Sequence, residues 1–105
     1  FVFDNKGPNF WCEGYATALS LRMILKSMKR RYTIHVCFSA HNMQKLAKDG
    51  YVLADNDASE TGETVAKRSG LPYFMPPDVG DDFNDYHRKV GILKAGLSLT
   101  KSLRL

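Results

Sequence analysis

The chain has 105 residues, 44% of them hydrophobic and 25% charged, with a formal net charge of +4. That length holds one domain able to bury its own core, and that composition excludes a disordered tail or a fibrous repeat. The mild positive charge is compatible with a polyanionic partner without requiring one.

Phe1-Val2-Phe3 reads as a strand, and Asp4 to Asn9 is dense in turn residues. The chain starts without Met inside that strand and is expected to be a domain of a longer protein. Phe10-Trp11-Cys12 is a second apolar run, stopped by Glu13-Gly14. From Tyr15 to about Arg31 the spacing predicts a helix with Ala18, Leu21, Ile24, Leu25 and Met28 on one face. Arg22, Lys26 and Lys29 fall on another face, and Lys29-Arg30-Arg31 places cations where the helix dipole favours them. This basic face reads as solvated surface before it reads as a nucleic-acid site. Ile34 to Phe38 is β-branched and aromatic, hence a strand. A short amphipathic helix is expected from His41 to about Lys48, and the next strand from Tyr51 to Ala54. Ser59 or Thr61 can cap a helix running to Arg68, with Gly70 as its C′ residue. Leu71 to Met75 makes the last strand, with Tyr73 and Phe74 in the core and Pro76-Pro77 as the stop. The polar run Asp78 to Asp85 leads into a helix through Tyr86, His87 and Val90. Ile92 to Leu105 has helical spacing and is either a packed helix or a linker, which divides the chain at 1–91 and 92–105. Cys12 and Cys37 lack Cys-x-x-Cys spacing and read as buried thiols of a reducing, cytoplasmic compartment. No apolar run approaches membrane-spanning length, so no membrane partner is expected.

Strands alternating with helices across short loops predict a layered α/β domain with a central, mostly parallel, four-stranded sheet flanked by helices. Ligand sites in such sheets lie beyond the carboxyl ends of the strands. Glu13, Asp55 and Asp57 sit at such ends, and Asp82 and Asp85 follow the last strand. Asp55 and Asp57 are two residues apart, which in extended chain puts both on one face. Like charges held that close favour a cation between them. The natural occupant is a hard divalent ion with oxygen ligands, Mg2+ or Mn2+. Taken alone, Asp55-Asn56-Asp57 is equally a turn with good capping chemistry. An acidic cluster at one edge of a basic chain shifts the balance toward a site. His41 and His87 read as surface or capping residues, because such a site does not need imidazole.

Three segments in order carry a family resemblance: Glu13-Gly14-Tyr15-Ala16-Thr17-Ala18, then Ala54-Asp55-Asn56-Asp57 with Gly62 and Ala66-Lys67, then Asp82-Phe83-Asn84-Asp85. Together they resemble the Toprim domain shared by primases, type IA and type II topoisomerases, OLD-type nucleases, small nucleases that mature ribosomal RNA, and RecR-type repair proteins. The Asp55-to-Gly62 spacing resembles the phage and plasmid primases, often fused to helicases, more than the DnaG type. The similarity spans roughly Phe10 to Gly91.

The resemblance implies that Glu13 is an acid/base or metal-ligand carboxylate and that Asp55 and Asp57 bind a catalytic Mg2+ (or Mn2+). Asp82 and Asp85 match a later acidic motif and are candidate further metal ligands. Gly14, Asn42, Gly62 and Lys67 are candidates for supporting or substrate-contacting positions, with a helix-cap role for Asn42 the other reading. The implied function is metal-dependent nucleotidyl transfer by a DNA primase in DNA replication. Its partners would be single-stranded DNA, nucleoside triphosphates and a fused or associated replicative helicase. The same carboxylates would serve a Toprim nuclease, and a non-catalytic DNA-binding module is the third reading. A primase also needs template-binding surface outside these residues, so the chain by itself is expected to have little activity.

Overall fold

In the computed structural model, which describes every residue from Phe1 to Leu105, five strands form one sheet in the order β1-β3-β2-β4-β5. The strands are β1 (Val2–Asp4), β2 (Asn9–Cys12), β3 (Thr33–Val36), β4 (Tyr51–Leu53) and β5 (Tyr73–Phe74). The helices are α1 (Tyr15–Ser27), α2 (Ala40–Leu46), α3 (Thr61–Ser69), α4 (Phe83–Val90) and α5 (Ile92–Leu103). All pairings are parallel except that of β1, which adds an antiparallel edge strand on β3 to the four expected ones.

The period of two along β2 and β4 divides the core into two layers. Phe10, Cys12 and Leu53 point to one face with Ile34, Val36 and Phe74, where α1, α4 and α5 cover them. Trp11, Val52 and Ala54 point to the other face, where Met43 of α2 and Val65 and Ala66 of α3 close over them. Central strands covered on both faces are continuously apolar for this reason. Cys12 and Cys37 are both buried free thiols, and burial raises the pKa of each. Tyr73 is half-buried and Phe74 buried, the latter edge-on to Phe83.

The helix α1 and the strand β5 end differently from their expected bounds. The stripe Ala18, Leu21, Ile24 and Leu25 is buried as its spacing requires, but α1 stops at Ser27. Lys29 turns left-handed at φ 56°, its N–H donating to Lys26 O and that of Arg30 to Leu25 O. This is a Schellman turn with lysine in the place glycine usually takes. β5 keeps only two residues because Pro72, Pro76 and Pro77 offer no ladder N–H. The carboxy-terminal segment packs on the domain: Ala95, Leu99 and Leu103 join the main core. Gly96 faces Ile24 and Met28, where even a Cβ would make only ordinary contact, 3.6 and 3.4 Å. No helix is long and apolar enough to cross a membrane.

Candidate metal centre

The sheet order fixes where a site can lie. After β2 the chain crosses one face through α1 to reach β3. After β4 it crosses the opposite face through α3 to reach β5. The loops leaving the adjacent strands β2 and β4 therefore diverge, and a crevice opens beyond their carboxyl ends. Glu13 follows β2 and Asp55 lies just beyond β4, so these two residues flank that crevice.

Their electrostatics mark the position. Asp55 is half-buried, and its Oδ1 is buried with no hydrogen-bond partner. Burial pushes its pKa up to about 7, helped by the negative charges of Glu13, then Asp82, then Asp57. A proton on Asp55 would find the Glu13 side chain as its acceptor. Gly62 at the start of α3 holds Asp55 from behind. A Cβ at that position would sit 2.5 Å from the Asp55 carbonyl oxygen, so a side chain would push α3 and Asp55 apart.

Asp57 lies beyond the ladder of β4, which ends at Leu53, in the turn that leads into α3. Its Oδ1 accepts from the Thr61 amide at 3.2 Å and the Ser59 hydroxyl at 2.9 Å, tying down that turn. The capping chemistry is therefore real, and Asp57 supplies it in place of Ser59 or Thr61. Asp82 and Asp85 form the capping box of α4, each amide donating to the other's carboxylate at 2.9 and 3.0 Å. One oxygen of each is committed to the helix start. Burial raises the Asp82 carboxyl, although the amides it accepts from pull the other way.

Asn56, the middle residue of Asp55-Asn56-Asp57, was not expected to matter. Its Nδ2 donates to Pro76 O at 2.8 Å, its N–H to Asp81 O, and its carbonyl accepts from Gly80. These bonds dock the Pro76–Asp82 loop against the end of β4 and bring Asp82 toward Asp55. The alternation of side chains along an extended run was the available signal, since it turns Asn56 away from its two neighbours. Phe38 was expected inside a strand, yet it leaves β3 at φ 65° with its side chain 64% exposed. Its N–H donates to Glu13 O at 2.8 Å, so it sits at the same edge as the carboxylates.

The remaining candidates are placed elsewhere or do other work. Gly14 is the extended N-cap of α1, with open space where a Cβ would be. Asn42 donates from Nδ2 to Cys37 O at 3.1 Å, while Ser39 is the cap of α2. Lys67 lies in the last turn of α3, which runs away from this edge, and pairs loosely with Glu63 at 3.8 Å. His87 meets Ser20, which also donates to Asn84, so it joins α4 to α1; His41 is exposed on α2.

No three of the His, Cys, Asp and Glu side chains stand close enough together to enclose a metal ion. The donor chemistry nevertheless fits a hard divalent cation. The groups facing the crevice are carboxylates, and Asp55 Oδ1 is a buried acceptor without a partner. Such an unsatisfied atom is costly unless something occupies it or a proton neutralises it. No curated protein and no solved structure gives a significant match to the chain. The sequence model of the Toprim domain matches residues 10–92, a range that runs from the second residue of β2 through β5 and includes both arms of the crevice and all five acidic candidates. With that match over most of its length and a mostly parallel sheet carrying acids at its carboxyl edge, the chain belongs to the Toprim domain family.

Proposed function

We propose that this chain is the catalytic Toprim domain of a phage- or plasmid-type DNA primase, acting with Mg2+ and joined by a replicative helicase in the same protein or assembly. The observation that carries the reading is the placement of Glu13 and Asp55 beside each other beyond the ends of adjacent strands, with Asp55 Oδ1 buried and unpartnered. Asp55 would hold the ion, with Glu13 beside it and Asp57 and Asp82 as neighbouring carboxylates. When bound, a divalent cation supplies charge neutralisation for the phosphates and the departing pyrophosphate. Glu13 is the acceptor for the proton that a 3′-hydroxyl must lose as it attacks. Asp55 must give up its own proton to bind a cation, so binding is expected to strengthen as pH rises through about 7. The Asp55-to-Gly62 spacing supports the phage- or plasmid-type primase reading, whereas strand cleavage would use the same carboxylates.

The test is incorporation of labelled ribonucleotides on a single-stranded template by the whole natural protein containing this chain, beside a nicking assay on the same preparations. Asp55→Ala and Glu13→Gln should each lower primer synthesis by about a hundredfold or more. Metal-dependent nicking without primers would move the assignment to a nuclease. Neither activity, with DNA binding retained, would make the chain a non-catalytic module.

A further inference from the structure

A second charged feature lies at the opposite end of the sheet. Phe10 and Tyr51 are register partners at the amino ends of the parallel strands β2 and β4, and Lys29-Arg30-Arg31 leads into β3. These residues line a pocket of about 300 Å3 together with Leu105. Its floor is the buried Phe10 with half-buried Tyr51 and Leu105, and its rim is the exposed Lys29, Arg30 and Arg31.

The Schellman turn is what gathers the cations. Had α1 continued through Arg31, the three side chains would point about 100° apart around the helix. The left-handed Lys29 ends the helix and carries all three to one pocket. None of them pairs with a carboxylate; the chain's ion pairs are Lys67 with Glu63 and Lys89 with Asp78 and Asp81. The acids at this end are occupied by neutral donors. Asp4 accepts from the Lys6 amide and Asp49 from Asn9 Nδ2. The carboxylate centre lies roughly 13 Å away along the four residues of β2, beyond a Debye length of about 10 Å at ordinary salt.

We propose that this pocket binds the phosphate backbone of a single-stranded nucleic acid, independently of the carboxylate centre. Two arginine forks suit phosphate oxygens, and the half-buried ring of Tyr51, packed at 5.0 Å on Phe10, gives a base a fixed surface to lie against. A lipid surface would have no use for a recessed aromatic floor. The preference for nucleic acid over other polyanions rests on the proposed function, while the unpaired cations do not.

Binding of a fluorescein-labelled oligothymidylate to the chain, followed by anisotropy in EDTA while NaCl is raised, tests this without any chemistry at the carboxylates. Arg30→Ala/Arg31→Ala should weaken binding about tenfold at low salt. It should also reduce the slope of log affinity against log salt by about 1.4, at about 0.7 per phosphate. Lys29→Gly should remove about 0.7 of slope while raising the melting temperature, so that its loss of binding is not a loss of fold. Lys45→Ala/Lys94→Ala, which removes two exposed cations elsewhere, should leave the slope in place. An unchanged slope in the arginine variant overturns the proposal, as does an equal loss in the Lys45/Lys94 control. Tighter binding to phosphatidylserine vesicles with the same arginine dependence overturns it in favour of a membrane. Loss of primer synthesis in Asp55→Ala with this slope intact would bear on the carboxylate reading alone.

Discussion

Replacing Asp55 with asparagine should stabilise the metal-free protein at neutral and higher pH. In the folded chain the carboxyl is displaced from 3.8 to about 7 by burial and by the charges of Glu13, Asp82 and Asp57. The sign follows from proton uptake. Between those two values the folded state holds a proton that the unfolded chain has released, so wild-type stability falls as pH rises from about 4 to about 7. Above the folded value the penalty is complete, and below the unfolded value it vanishes. At 1.36 kcal/mol per pH unit the displacement corresponds to roughly 4 kcal/mol at most. Because Asp55 is only half-buried, solvent screening reduces this to about 1–2 kcal/mol. Asparagine keeps the shape without the charge and escapes the penalty. In EDTA near pH 8, Asp55→Asn should therefore melt about 5 °C or more above wild type, and the two should converge near pH 4. Millimolar Mg2+ should then raise the wild-type melting temperature, since a ligand bound only by the folded state stabilises it, and should leave Asp55→Asn nearly unmoved. An asparagine variant that melts at or below wild type near pH 8 would refute the strained carboxylate cluster. A wild type indifferent to Mg2+ would refute the cation site.

Two further substitutions test how the centre is held. Gly62→Ala should cost about 1–3 kcal/mol in urea denaturation, because its Cβ meets the Asp55 backbone rather than a movable side chain; no loss would mean that α3 does not brace Asp55. Asp82→Ala should cost about 1 kcal/mol by removing the α4 cap, and Asp82→Asn, which keeps an acceptor for the Asp85 amide, should cost less. Equal losses would show that the capping bond contributes nothing.

The alternation of strands and helices was legible because it rests on local periodicity. Val52 and Leu53, or Ala18, Leu21, Ile24 and Leu25, show their buried faces through spacing alone. The carboxylates were legible as candidates because strand ends can be read from where apolar runs stop at Glu13 and Asp55. The sequence could not show how those ends meet. That β4 lies next to β2, so that Glu13 and Asp55 share a crevice, depends on the crossover past β2 after β3. The role of Asp57 depended on the turn into α3, whose Ser59 hydroxyl and Thr61 amide it accepts from, and that of Asp82 and Asp85 on where α4 begins. Lys29 was invisible as a helix terminator, because lysine prefers helix and only the packing of β3 against α1 makes a left-handed turn worth its strain. Hydrophobic spacing is a property of neighbours along the chain, so the sequence by itself determined the alternating strands and helices, while its three acidic segments carried the resemblance to the family. Proton affinity, charge gathering and the choice between cap and ligand depend on groups distant in sequence, and these only the tertiary structure decided.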